Sequence, residues 1–412
     1  MNVYNTLKQR GFIAKVEEGD KDKYQVSDET AVRQLLASGT TVYQGFDPSA
    51  DSLHLGHFMG IMALHHIQEA GNRVIFVLGG ATGRIGDPSG KNSTRVLLTE
   101  EKVKQNGERI KSQVQKMGLL SFNDPKKAVM LDNAEWISKK KFLDEYMMDV
   151  ARYFSVNEMT KMETFDRRLR AEENLSLLEF LYTTVQAWDF LLLYEKYECR
   201  VQVGGSDQWG NIISGVNLIK SHFGNKANAQ ALTFTLLTTS SGEKMGKTEK
   251  GPLWLDPNKT SPFDFYQYIE KIDDKMIRTL FGIYTFLPMA EIDQIMTGDP
   301  RVAQKRLAYE VTRVVHGEEE AEKAQKHSEI VFAGSQDTDL SSIPEFEIND
   351  VTSLDDILVR SSSLSSKSEV NRRVRGGAIK IDDEKVSTSK LKISQSCLIK
   401  FGKVNFLRVK KI

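Results

Sequence analysis

The sequence predicts an α/β protein built on a parallel sheet, followed by a small helical region and a basic α+β tail. Three observations carry this. Short apolar runs end at glycine-rich loops at Thr41 to Gly45, Val74 to Gly80 and Arg200 to Gly205, and helical periodicity follows, as in His57, Ile61, Leu64 and Ile67. Buried strands alternating with helices make a parallel sheet whose ligands sit at the strands' C-terminal ends. Near Ser261 the strand signals fade, and Phe263 to Ile272, Asp274 to Phe281 and Arg301 to Val315 carry helix patterns. Finally, residues 351–412 hold 14 Lys and Arg against 6 Asp and Glu, so the neutral chain is an acidic body with a basic tail.

The expected domains are 1–260 for the sheet, 261–330 for the helical region, 331–350 as a linker and 351–412 for the tail. Glu318, Glu319 and Glu320, with the polar stretch Gly334 to Ser342, mark a helix end and that linker. A chain of 412 residues with 40% hydrophobic and 27% charged residues buries a large core without staples. Cys199 and Cys397 are the only cysteines, which excludes a disulfide framework and a four-cysteine metal site and fits a reducing compartment. No apolar run is long enough to span a membrane, and Met1 to Lys15 has neither a signal-peptide nor a transit-peptide pattern. The cytoplasm is the expected location.

The first chemistry-bearing segment is VYQGFDPSADSLHLGHFMGI at 42–61, a strand, a turn and an amphipathic helix. His54 and His57 fall three apart at the helix start and face roughly one side, and Gly56 admits a close approach to the backbone. Free N–H groups and two imidazoles suit a phosphate cradle. Zinc is disfavoured, since no third or fourth ligand is near. The second segment is KMGKT at 244–248, about 190 residues further on. Its lysines bracket a flexible residue and can clamp a leaving pyrophosphate as charge develops. GGATGRIGDPSGK at 79–91 is neither a Walker loop nor G-x-G-x-x-G. Tyr182, Gln186 and Asp189 form a polar stripe on an otherwise apolar helix, lining either a polar pocket or solvent. VGGSDQWGN at 203–211 puts Asp207 at a strand end, where ribose hydroxyls bind in many nucleotide folds.

HLGH at 54–57 and KMGKT resemble the two signatures of class I aminoacyl-tRNA synthetases. The longer runs VYQGFDPSADSLHLGH, GGATGRIGDPSGK, YTTVQAWDF at 182–190 and VGGSDQWGN resemble the bacterial tyrosyl enzymes over nearly the whole chain. The resemblance implies a Rossmann-like catalytic domain, a helical anticodon-contacting domain and a homodimer. Its substrates would be L-tyrosine, ATP with Mg2+ and tRNA(Tyr), with no prosthetic group and no protein-held metal.

By the same resemblance, Tyr43 and Asp189 would hydrogen-bond the tyrosine hydroxyl. Asp87, Tyr182 and Gln186 would bind its ammonium, and Gln208 the tyrosyl group. Gly45, Asp47, Ser49, His54, His57, Gly205 and Asp207 would line the ATP site. Lys244, Lys247 and Thr248 would close on pyrophosphate, and Lys91 and Arg95 belong to a loop that helps hold the transition state. The tail segment SKSEVNRRVRGGAIKIDDEKV at 366–386 resembles a small RNA-binding domain shared with a ribosomal protein, with Arg372, Arg373 and Arg375 as phosphate contacts. Gln44, Ser49 and Gly60 depart from the family pattern without removing a charged group. An RNA-binding protein without catalysis, a tryptophanyl enzyme and a nucleotidyltransferase are the other readings.

Overall fold

The computed structural model describes residues 2–16, 23–89, 97–139, 141–239, 242, 244–248, 251–333, 343–361, 363–382, 384–402 and 406–412, with the side chains of 247, 248 and 330–333 excepted. The chain forms two compact units, the first of residues 1–261 together with 268–316, the second of residues 262–267 together with 317–412.

Five parallel strands build the first unit: β1 (Thr41–Phe46), β2 (Arg73–Leu78), β3 (Ala128–Asp132), β4 (Cys199–Gly205) and β5 (Gln230–Phe234), in the order β3-β2-β1-β4-β5. The inner strands are buried along almost their whole length because helices cover both faces. Strand order reverses between β1 and β4, and at such a switch point the loops diverge and leave a crevice at the strands' C-terminal ends. β1 also divides its side chains between two faces. Tyr43 packs on Phe190 of the Leu177–Tyr197 helix, with ring centroids 5.3 Å apart, while Gln44 lies on the opposite face against Gly60 of the Leu55–Glu69 helix.

The Leu177–Tyr197 helix starts at a capping box in which Ser176 and Glu179 satisfy each other's backbone N–H groups. Fully buried Arg168 bonds Glu179 at 3.1 Å and fixes that start. The helices at Asp274–Tyr284 and Pro300–His316 belong to the same unit as the sheet, whereas the expected boundary fell at residue 260. The physical reason is close packing. A Cβ on Gly282 would lie 2.3 Å from the Arg10 carbonyl oxygen, and the Tyr284 hydroxyl donates to the Leu55 carbonyl at 2.9 Å.

In the second unit, β6 (Glu345–Ile348), β7 (Ile379–Ile381), β8 (Glu384–Lys385), β9 (Cys397–Phe401) and β10 (Phe406–Lys411) form a mixed sheet in the order β8-β7-β9-β10-β6. Ile357, Leu358, Val370, Ile379, Ile399 and Val409 fill its core. β6 lies in the stretch expected as a linker; it pairs in parallel with β10, a strand far along the chain. The acidic run Glu318–Glu320 opens the Glu318–Ala333 helix rather than ending one. Gly317, with φ of +91°, ends the preceding helix, and carboxylates in a first turn complement the helix dipole. Residues 334–342 lie outside the described residues.

Replacing Gly282 by Ala should cost roughly 1–3 kcal/mol, because the new methyl meets backbone and not a movable side chain. Denaturant unfolding measures it, and an unchanged midpoint would show that the Asp274–Tyr284 helix can move off the Arg10 backbone freely.

Candidate active site

A cavity of about 590 Å³ opens at the switch point, lined from the C-terminal ends of β1 and β4 and by the two flanking helices. Tyr43, Gly45, Asp47, Ser49, His54, His57, Asp87, Tyr182, Gln186, Asp189, Gly205, Asp207, Gln208 and Lys244 all line it. These residues come from segments spread over half the chain. Lys91 and Arg95 lie outside the described residues. Lys247 and Thr248 form a short ladder with Gly251–Pro252, and their side chains are likewise outside the description.

The buried wall between β1, β3 and the Leu177–Tyr197 helix is organised around Asp189. The Asn133 amide donates to one oxygen at 2.8 Å, and the Trp136 indole N–H donates to the other at 2.7 Å. Burial nonetheless pushes the carboxyl up to about 7, against the downward pull of those two donors. A carboxyl raised in the folded state from 3.8 stabilises the fold fully below its unfolded value, and that contribution is lost as pH rises through about 7. Tyr43 is also buried, and its hydroxyl has no hydrogen-bond partner among the described residues. Burial first, and the Asp189 charge second, push that phenol well above its ordinary value.

A second network carries the polar stripe toward the nucleotide-like turn. The Tyr182 hydroxyl donates to Asp47 at 2.8 Å, and Thr82 donates to the other Asp47 oxygen at 2.7 Å. A Cβ on Gly79 would lie 1.9 Å from that second oxygen, so any side chain there would have to displace the hydrogen-bonded Asp47 carboxylate. Asp87 accepts from the Gln208 amide at 2.6 Å and from the Ser89 N–H at 2.9 Å. Asn211 braces this pair, bonding Ser89 at 3.1 Å and Gln208 at 3.2 Å. Across the mouth, Lys244 pairs with Asp207 at 2.8 Å.

His54 caps its helix, and Gly56 shows what approaches its backbone: the His54 ring itself, 3.0 Å from where a Cβ would stand. The His54 Nδ1 accepts from the Gly56 N–H at 3.1 Å, and the His57 Nδ1 accepts from the His54 N–H at 3.3 Å. Both rings therefore carry their proton on Nε2. Burial lowers His54 to about 4 and His57 well below its usual value, so the stacked rings, 3.8 Å apart, are neutral at neutral pH. They offer N–H dipoles at a helix N-terminus, not cations.

Sequence reasoning missed Asn133, Trp136, Thr82 and Asn211. The signal available was Asp-Asn-Ala-Glu-Trp directly after an apolar strand, polar groups and an indole where β3 ends. Of the tail arginines, Arg372 and Arg375 are exposed, while Arg373 pairs with Glu369 at 2.7 Å. Among the described residues no group of three or more ligating side chains could hold a metal, and no helix is long and apolar enough to cross a membrane.

Residues 37–333 match the family of tRNA synthetases class I (W and Y). The chain is 42% identical to the tyrosine–tRNA ligase of Clostridium botulinum and 41% identical to that of Fusobacterium nucleatum, covering 99% and 100% of this chain and 99% and 98% of those proteins. A C-terminally truncated mitochondrial tyrosyl-tRNA synthetase from Aspergillus nidulans superposes with a TM-score of 0.68 at 31% identity, over 80% of this chain and 94% of that one. With the cavity at the switch point and HLGH and KMGKT beside it, the chain belongs to the tyrosyl-tRNA synthetase family of class I tRNA synthetases.

Proposed function

We propose that this protein activates L-tyrosine with ATP and transfers the tyrosyl group to the terminal ribose of tRNA(Tyr). The observation that carries the specificity is the Tyr43 hydroxyl, buried without a partner in the same cavity as Asp189. Two donors on the Asp189 carboxylate leave lone pairs free, so a substrate phenol donates to Asp189 and accepts from Tyr43. Phenylalanine would leave both groups buried and unpaired, and tyrosyl-tRNA synthetases are the general example of this discrimination.

The substrate carboxylate oxygen attacks the α-phosphorus, and pyrophosphate leaves. Catalysis is positioning and charge stabilisation, with no protein acid or base required. Asp87, Tyr182, Gln186 and Gln208 hold the amino acid's ammonium and tyrosyl groups. Gly45 leaves open backbone for the nucleotide, since nothing lies within 4 Å of a Cβ built there. Asp47, Ser49, Gly205 and Asp207 complete the nucleotide side. His54 and His57 donate Nε2–H to the phosphates. Lys244 has three donors, so it keeps Asp207 while reaching pyrophosphate, and Lys247 and Thr248 close from the same loop. Lys91 and Arg95 add positive charge at the transition state, and Mg2+ enters with the triphosphate.

The basic tail contacts tRNA through Arg372, Arg373 and Arg375, and the helices around 261–330 meet the anticodon region. A second copy covers exposed apolar side chains among Phe142, Leu143, Val156 and Leu177, each more than 60% exposed. The proposed location of this protein is the cytoplasm.

Pyrophosphate exchange into ATP, run on a sample shown by light scattering to be dimeric, should require tyrosine and give no signal with phenylalanine or tryptophan. Exchange independent of tyrosine, or none from folded dimer, would overturn the reading. Trp136→Phe removes one donor from Asp189 while keeping most of the ring area. It should move the acid limb of kcat/KM for tyrosine to higher pH and raise KM about tenfold near pH ~6.5. An unmoved acid limb would separate Trp136 from the titrating group.

A further inference from the structure

Gly246 stands between the two lysines of KMGKT, and both of its backbone groups are bonded. Its carbonyl accepts the Leu253 N–H at 2.6 Å, which extends the Lys247–Pro252 ladder. Its N–H donates to the Tyr268 hydroxyl at 2.8 Å. The residue is buried and turns in the left-handed region, with φ of +83°, where glycine is favoured.

The two bonds differ in kind. The ladder side continues through backbone alone. The Leu253 carbonyl accepts the Leu55 N–H at 3.0 Å, and the Leu255 N–H donates to the Leu53 carbonyl at 2.9 Å, so the return from the loop runs along the HLGH turn. The other side is one side-chain oxygen. Tyr268 lies 22 residues beyond Gly246 on the Pro262–Glu270 helix, and Ile269 beside it is fully buried and fixes that turn of the helix. Tyr268 does not line the cavity, so whatever it does for the chemistry passes through the loop.

Lysines that meet charge developing on a leaving pyrophosphate act best from a backbone already in place. Two consecutive peptides between Lys244 and Lys247 are held here. The Met245 N–H donates to the Leu237 carbonyl at 2.8 Å, and the Gly246 N–H donates to Tyr268. With them set, Lys244 reaches Asp207 at 2.8 Å across the mouth.

We infer that Tyr268 is a positioning residue for adenylate formation, its hydroxyl accepting the buried Gly246 N–H and so holding KMGKT where pyrophosphate departs. The inference rests on the adenylate-forming reading above.

The test is single-turnover formation of tyrosyl-adenylate by the full chain, with Tyr268→Phe removing one oxygen and keeping the ring. The rate should fall about five- to fiftyfold, because the Gly246 N–H loses its acceptor in a buried place. Tyrosine binding without ATP, measured by equilibrium dialysis, should be unchanged. In a Lys244→Ala background the same substitution should cost much less, because part of the loop's grip is already gone. A Tyr268→Phe rate within about twofold of wild type overturns the positioning role. An equal loss of tyrosine binding overturns it too, by showing a general disturbance of the fold. Full additivity with Lys244→Ala overturns action through the loop. Each of these results leaves the adenylate reading standing; only failure of wild type to form adenylate brings that reading down.

Discussion

A carboxylate set into an apolar wall has to be held by donors, and Asp189 is that carboxylate. The rest of the cavity is built outward from it. The Asn133 amide that bonds Asp189 also donates to Thr82 at 3.0 Å, and its side-chain oxygen accepts the Ala81 N–H at 2.8 Å. Thr82 in turn holds Asp47, which holds Tyr182. One residue at the end of β3 thus ties the Leu177–Tyr197 helix, the glycine loop after β2 and the turn after β1 into a single polar frame. Networks in low dielectric reinforce one another when every member is satisfied. The Tyr43 hydroxyl and the side-chain oxygens of Gln186 and Gln44, which have no hydrogen-bond partner among the described residues, belong to residues that line the cavity.

The nucleotide side obeys a different rule. Its groups are neutral dipoles and backbone N–H groups at a helix start, joined by a lysine that already has a carboxylate partner. Neutral imidazoles avoid the cost of burying two adjacent cations and still offer N–H donors to the phosphates of the proposed nucleotide.

Much of this was legible in the sequence, for reasons that differ by residue. β1, β2 and β4 were readable because each is a short, largely apolar run that leads into a glycine-rich loop. Tyr182, Gln186 and Asp189 were readable because polar groups at helical spacing stand out in an apolar helix. Asn133 and Trp136 were not, because they act across 56 and 53 residues from a turn whose composition is ordinary. β6 was hidden for the same reason, its partner being β10. The acidic run at 318–320 misled because charge alone does not say which end of a helix it belongs to; Gly317 before it does.

The proposed selectivity for a phenol rests on Asp189, a buried carboxyl with an elevated proton affinity, restrained by two donors. Isotope-edited infrared titration of aspartate-labelled protein, with Asp189→Asn as the reference, reads that carboxyl directly. A protonated carbonyl band should disappear with a midpoint near 7 and be missing from Asp189→Asn. A midpoint near the ordinary 3.8 would contradict this picture, and the wall would then have to be more hydrated than its packing implies.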